Sequence, residues 1–241
     1  MEGAELSARF ALPPNSRSYC GTERFSAVFR RFLAKKSAAN LRSLKGALSS
    51  FHAHYAYLKL IAAASGRMPF DAKVTEALWL GNGLLKKVKR KDLQLLILKD
   101  FCGRGMLSKK RTRNLAGEMP DGFLPHHSFH TLYIHTITGV VPPTVATSDN
   151  CRVSWGKVIR AGKNAVEVRT QKLVREKGIL KLIPCRKRWL LNFAGIVLLP
   201  DVKMGELVAS HWGFAVMKIT KAQMPGLKRA TLANIAAANQ K

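Results

Sequence analysis

Cysteine and histidine are the residues in this chain of 241 that are best able to hold a transition metal, and both are sparse: four cysteines and seven histidines. The densest stretch is Pro125-His-His-Ser-Phe-His-Thr-Leu-Tyr-Ile-His135, with four histidines in ten residues. Imidazole is a common metal ligand, yet this spacing matches no zinc motif, and such histidines also serve as plain hydrogen-bonding groups. Cys151 follows in Cys151-Arg-Val-Ser-Trp-Gly-Lys-Val158, and His211 lies in Gly205-Glu-Leu-Val-Ala-Ser-His-Trp-Gly-Phe-Ala-Val-Met-Lys-Ile219. A thiol and an imidazole suit a soft or borderline metal, although two ligands fall short of a full set. The candidate metal ligands are therefore Cys151, His211, His127, His130 and His135. Arg152 and Lys157 are expected to lower the Cys151 pKa, as neighbouring cations do. The competing role for Cys151 is a structural thiol at a domain junction.

Short strands must position Cys151 and His211. Val153, Trp155 and Val158 alternate with polar residues up to an interruption at Gly156, and Leu207, Ala209 and His211 alternate before Gly213, with Phe214, Val216 and Ile219 beyond it. The second segment reads as two strands meeting at a turn or bulge. Strands are expected at Val153–Ile159, Ala165–Thr170, Ile179–Ile183, Trp189–Phe193, Leu207–His211 and Phe214–Ile219. Arg186-Lys-Arg188 reads as a basic loop, and the alanine-rich stretch from Thr220 to Asn239 as a helix started or broken at Pro225-Gly226. The alternation through Phe129–Ile137 also predicts a strand, with His130 on one face and His127 and His135 on the other. Cys151 and His211 are then expected to face a common surface cleft.

The first half of the chain carries a helical period. Phe25, Val28, Phe29, Phe32 and Leu33 recur at i, i+3, i+4, i+7 and i+8, and Leu41 to Ile61 lie on one stripe of a second helix over 38–64. Asp71 is placed to cap a third helix reaching Leu80, and a further helix fits within Leu84–Phe101. His52 and His54, two apart, cannot share a ligand geometry on a helix. Leu12-Pro-Pro-Asn predicts an extended or turning segment, since consecutive prolines disfavour helix, and Cys20 reads as a small packed thiol. The fold class expected is α+β. A mostly helical domain covers 1–125, a His-rich strand and linker 126–148, and a small antiparallel barrel with a C-terminal helix 149–241.

Residues 149–230 resemble the HypC/HupF family of hydrogenase maturation chaperones. The likeness rests on Cys-x-x-x-x-Gly-Lys-Val at 151–158 and on Gly205-Glu-x-Val-x-x-His-x-Gly-Phe-Ala215. It implies an OB-like barrel with a C-terminal helix. It also implies that Cys151 and His211 stand where that family places the cysteine and histidine that carry an iron–cyanide–carbonyl unit. Implied partners are a HypD-like maturation protein and the nickel–iron hydrogenase large subunit precursor. The chain departs from the pattern in having the cysteine internal, Trp155 where a proline is usual, and a longer, basic interval around Arg175–Arg188. The resemblance implies a carrier rather than an enzyme.

The formal charge is +27, from 41 Lys and Arg against 14 Asp and Glu. Such a field draws polyanions, so a nucleic-acid-binding protein with an OB-like barrel is the alternative function. Basic runs at Lys86–Lys91 and Lys109–Arg113 fit phosphate or acidic-protein contact as well as solvated helix ends, and only weak nucleic-acid binding is expected without a stacking array. No phosphate-binding glycine loop, GxSxG elbow or HExxH helix occurs. No stretch is apolar enough for a transmembrane helix, no signal core opens the chain, and the cysteines lack CxxC spacing. A cytoplasmic protein with reduced thiols is expected.

Overall fold

The computed structural model describes residues 1–19, 21, 25–103 and 106–240. Its first half is helical: α1 (Gly3–Asn15), α2 (Phe25–Ala34), α3 (Ala38–Ser49), α4 (His52–Ser65), α5 (Ala72–Leu80), a 3-10 turn (Gly83–Lys87), α6 (Arg90–Asp100) and α7 (Lys109–Gly117). Local chemistry sets several ends. Ser37 and Asp71 accept from the backbone N–H groups of Asn40 and Lys73, and Gly66 closes α4 in the left-handed region. The helix expected over 38–64 is two helices. Phe51 breaks it by taking an extended backbone, which seats its ring against Phe25 and Phe29, 5.5 Å from each.

Leu12-Pro-Pro-Asn is not the extended or turning segment expected: Pro13 and Pro14 lie inside α1. They sit in its last turn, where their missing N–H groups release the carbonyls of Arg9 and Phe10, four residues back. Every residue of α1 except Arg9 is buried. The helix packs on α2, α3 and α5 and also on two strands of the second half.

The strands of the second half are β1 (Ser154–Ala161), β2 (Ala165–Glu176), β3 (Ile179–Leu190), β6 (Leu207–His211) and β7 (Phe214–Lys218), with β4 (Asn192–Phe193) and β5 (Ile196–Val197) forming a separate small hairpin; α1 packs on β6 and β7. They pair in the order β1-β2-β3-β7-β6, and β6 closes the ring against β1. The sheet is mixed, not wholly antiparallel as expected: β3 and β7 run parallel where Leu190 meets Phe214. A closed ring of five strands cannot alternate direction all the way round. Two-residue turns with both φ angles positive join β2 to β3 (Lys177, 50°; Gly178, 82°) and β6 to β7 (Trp212, 52°; Gly213, 81°), matching the twist of the strands they connect. The segment read as a basic loop is therefore strand: β3 joins the candidate at Ile179–Ile183 to Trp189 and Leu190, while Asn192 and Phe193 of the candidate at Trp189–Phe193 form β4. Gly156 is required by packing, since a Cβ there would lie 3.0 Å from the Val168 Cβ and 3.1 Å from the Trp189 ring.

The strand expected in the histidine-rich segment is helical instead: α8 (His127–Phe129) runs into a single π-turn (His130–Ile134), and α9 (Val145–Cys151) ends at the candidate thiol. His126 starts it, its Nδ1 accepting from the Ser128 N–H. Phe129 and Tyr133, four apart, stack at 5.7 Å and join the core. α10 (Met224–Ala238) begins with Pro225 in its first turn. One continuous cluster of buried side chains runs from Phe10 through Trp79 and Phe129 to Val153, Trp155, Phe214 and Leu227, so the core crosses residues 125 and 148 without a break. Val158, Val168, Trp189 and Val208 fill the barrel. No helix among the described residues is long and apolar enough to cross a membrane.

Candidate metal centre

Three elements converge on one point. His127 opens α8, Cys151 ends α9, and His211 ends β6, and their donor atoms all lie within 4.8 Å of one another. Cys151 Sγ is 3.7 Å from His127 Nε2. Metal–ligand lengths near 2.0–2.3 Å place two tetrahedral ligands of one ion about 3.5 Å apart, so a small contraction suffices.

His211 is held most firmly. It is 1% exposed, and its Nδ1–H donates to the Phe10 carbonyl at 2.6 Å. In an uninterrupted helix that carbonyl would accept from residue 14, but Pro14 has no N–H to give. Stacking on Trp79 (4.8 Å, 8° between planes) fixes Phe10 itself. A neutral imidazole with Nδ1 protonated carries its lone pair on Nε2, and this atom is buried without a hydrogen-bond partner. A carbonyl that sets the tautomer behind a bare nitrogen is the usual support of a metal-binding histidine.

Burial dominates the electrostatics. It pushes the His211 pKa down to about 4, while the backbone groups of Phe10 and Cys151 pull the other way; only the Phe10 contact has hydrogen-bond geometry. His127 is held well below the usual range by burial first and by His211, His130, His126 and His54 after it. Both rings therefore present lone pairs rather than protons. The expected lowering of the Cys151 pKa is reversed: burial pushes the thiol up to about 11, with Thr131 and Trp212 opposing it more weakly. Arg152 does not serve the thiol, because its guanidinium is buried against Asp149 and donates to the Gln171 carbonyl. Lys157 is exposed on β1, opposite Arg169.

Of the five expected ligands, Cys151, His211 and His127 come together. His130 and His135 do not join them but line the adjoining cavity of about 520 Å³. His130 shares a hydrogen bond with the Tyr57 hydroxyl at 3.3 Å and has its pKa lowered to about 4, by burial first and then by His135. The expected common cleft is half right: His127 and Cys151 reach the cavity, whereas His211 stands buried behind them. Cys102 and Cys185 are free thiols outside the cluster, and Cys20 lies outside the described residues.

Sequence reasoning missed Phe10, Pro14 and Trp79. The Trp79 ring lies 4.5 Å from His127, 5.5 Å from His211 and 5.7 Å from His54. Nothing local marks it, since these contacts join residues 25 to 132 positions apart. With that ring in place, all seven histidines of the chain gather here. His52, His54, His127, His130 and His135 line the cavity. His126 donates to the Trp79 carbonyl, and His211 backs the cluster.

Fold and site together define an α+β protein with a Cys/His donor cluster where a helical layer meets a closed five-stranded barrel. Its full length, residues 1–241, matches the model described as Family of unknown function (DUF6390), and the chain belongs to that family. No curated protein and no solved structure matches it.

Proposed function

We propose that this protein is a metal-carrying assembly chaperone of HypC/HupF type, with iron as its cargo and Cys151, His127 and His211 as the residues that hold it. The observation that carries the reading is His211: one ring nitrogen bound to the Phe10 carbonyl, the other bare and buried beside a thiol and a second imidazole. Two further features support it. The pairing order β1-β2-β3-β7-β6, with β1 between β2 and β6, suits an OB-like five-stranded barrel. The cysteine and histidine singled out by the resemblance are the ones that share the cluster. A divalent ion entering this site displaces the thiol proton and gains a thiolate and two neutral imidazoles. Three protein ligands leave a coordination position open, which suits transfer more than permanent storage. The partners on this reading are a HypD-like maturation protein and the nickel–iron hydrogenase large subunit precursor, in the cytoplasm.

The full chain, purified metal-free under reducing conditions, should bind one equivalent of Fe(II), or of Co(II) as a spectroscopic substitute with a thiolate-to-metal charge-transfer band. Cys151→Ala, His127→Ala and His211→Ala should each remove most of that uptake, with Cys102→Ala as the unaffected control. Undiminished uptake by Cys151→Ala would exclude the site.

One observation favours nucleic acid as a second reading. Lys157, Arg169 and Arg186 lie in register across β1, β2 and β3, and none forms an ion pair among the described residues. A salt titration of oligonucleotide binding separates the two readings, because phosphate contacts weaken steeply with salt.

A further inference from the structure

The cavity beside the donor cluster differs in kind from the rest of the molecule. Its volume, about 520 Å³, falls in the range of small-molecule sites. Although the chain carries 41 Lys and Arg and 14 Asp and Glu, none of the described residues lining it is Lys, Arg, Asp or Glu. Residues 126–150, which form much of one wall, contain no Lys or Arg at all. The lining is aromatic and aliphatic (Phe51, Tyr57, Trp79, Ile137, Val141) and interleaved with imidazoles. Burial keeps the His54 and His130 imidazoles neutral, lowering the first to about 3 and the second to about 4. An ion entering such a space loses hydration with no opposite charge to meet among the described lining residues, whereas an uncharged apolar molecule gains by the same transfer.

Position adds the second element. His127 and Cys151 form part of the wall, while His211 lies behind it. An ion held by the three would meet the cavity on the side its protein ligands do not fill. We propose that the cavity binds one uncharged, largely apolar small molecule, and that a nitrogen or sulfur donor on this molecule completes the coordination of the ion. The second half of this inference rests on the metal-carrying reading and the first half does not.

The test uses 4-phenylimidazole, neutral at mildly alkaline pH, and benzoate as an anion of similar shape, with added salt to suppress binding to the basic surface. Calorimetry on the metal-free full chain should show one site for 4-phenylimidazole and none for benzoate. With Co(II) bound, 4-phenylimidazole should shift the visible d–d bands. Ala53→Trp and Val141→Trp each fill the cavity from a wall residue that is not a ligand. Both should lose affinity by roughly tenfold or more while keeping Co(II) uptake and the native circular dichroism spectrum. Absence of 4-phenylimidazole binding, equal binding of benzoate, or full affinity in both folded variants would overturn the cavity. If Co(II) loads and its bands ignore the probe, the coordination proposal falls while the metal centre stands. If 4-phenylimidazole binds but Co(II) does not load, the cavity stands and the metal-carrying reading falls.

Discussion

At the scale of single residues, what Pro14 contributes is an absent N–H. Its place four residues after Phe10 leaves a buried carbonyl free, and His211, 201 positions away in sequence, takes it. Pro14→Ala restores a competing donor in the last turn of α1. The His211 Nδ1–H bond should weaken, and metal affinity should fall by about 10- to 100-fold, the usual cost of losing a group that orients a ligand. Nitrogen-15 NMR of the His211 ring should show a mixture of tautomers in the variant and a single one in the parent. Unchanged affinity together with an unchanged tautomer would show that the proline is merely tolerated. Cys151, His127 and His211 were legible as candidates because thiol and imidazole are chemically distinctive. Their support was not, because a backbone carbonyl has no signature in a sequence.

At the scale of elements, α5 and α10 touch backbone to backbone. A Cβ on Gly226 would lie 2.1 Å from the Gly81 carbonyl oxygen, and one on Gly81 would lie 2.7 Å from that of Gly226. Since α5 carries Trp79, this contact sets how deeply the ring reaches toward the histidines. Gly226→Ala forces the helices apart and should destabilise the protein by roughly 1–3 kcal/mol, as overpacking does. Gly46→Ala, inside α3 with open space around it, should stabilise by about 0.5–1 kcal/mol through helix propensity. Equal midpoints for the two variants in urea would contradict the contact. Elements were legible where one local force acted alone: the Asp71 cap, the paired strands around Trp212-Gly213, and the C-terminal helix. They were misread where packing decided. Phe129 to Ile137 alternates well enough for a strand, but Phe129 and Tyr133 are both needed on one side of a helix. Likewise, Phe51 breaks a continuous helical stripe to bury its ring.

At the scale of the molecule, the helical part and the barrel share one core, and buried neutral histidines sit along their junction. The α+β class and the place of the barrel were legible from the change of period, whereas the shared core was not, because it depends on α1 lying between the two parts. That arrangement fixes a pH dependence. His126 is fully buried and His211 is 1% exposed, and burial lowers each pKa from 6.5 to about 4. Between pH 6.5 and 4 the unfolded chain therefore binds protons that the folded chain refuses. Stability is complete above pH 6.5 and is lost as pH falls, and this contribution levels off near pH 4. Each imidazole gives a slope of up to about 1.4 kcal/mol per pH unit, large against a typical total of about 5–15 kcal/mol. Most of the window lies above the range in which ordinary carboxylates protonate. For the metal-free protein, the urea midpoint should be level above pH 7 and fall steeply from pH 6.5 to 4. Helical circular dichroism and tryptophan fluorescence should report one coincident transition throughout. A midpoint level down to pH 4 would mean that these imidazoles are not buried in the neutral form, and two separated transitions would mean that the helices and the barrel do not depend on a common core.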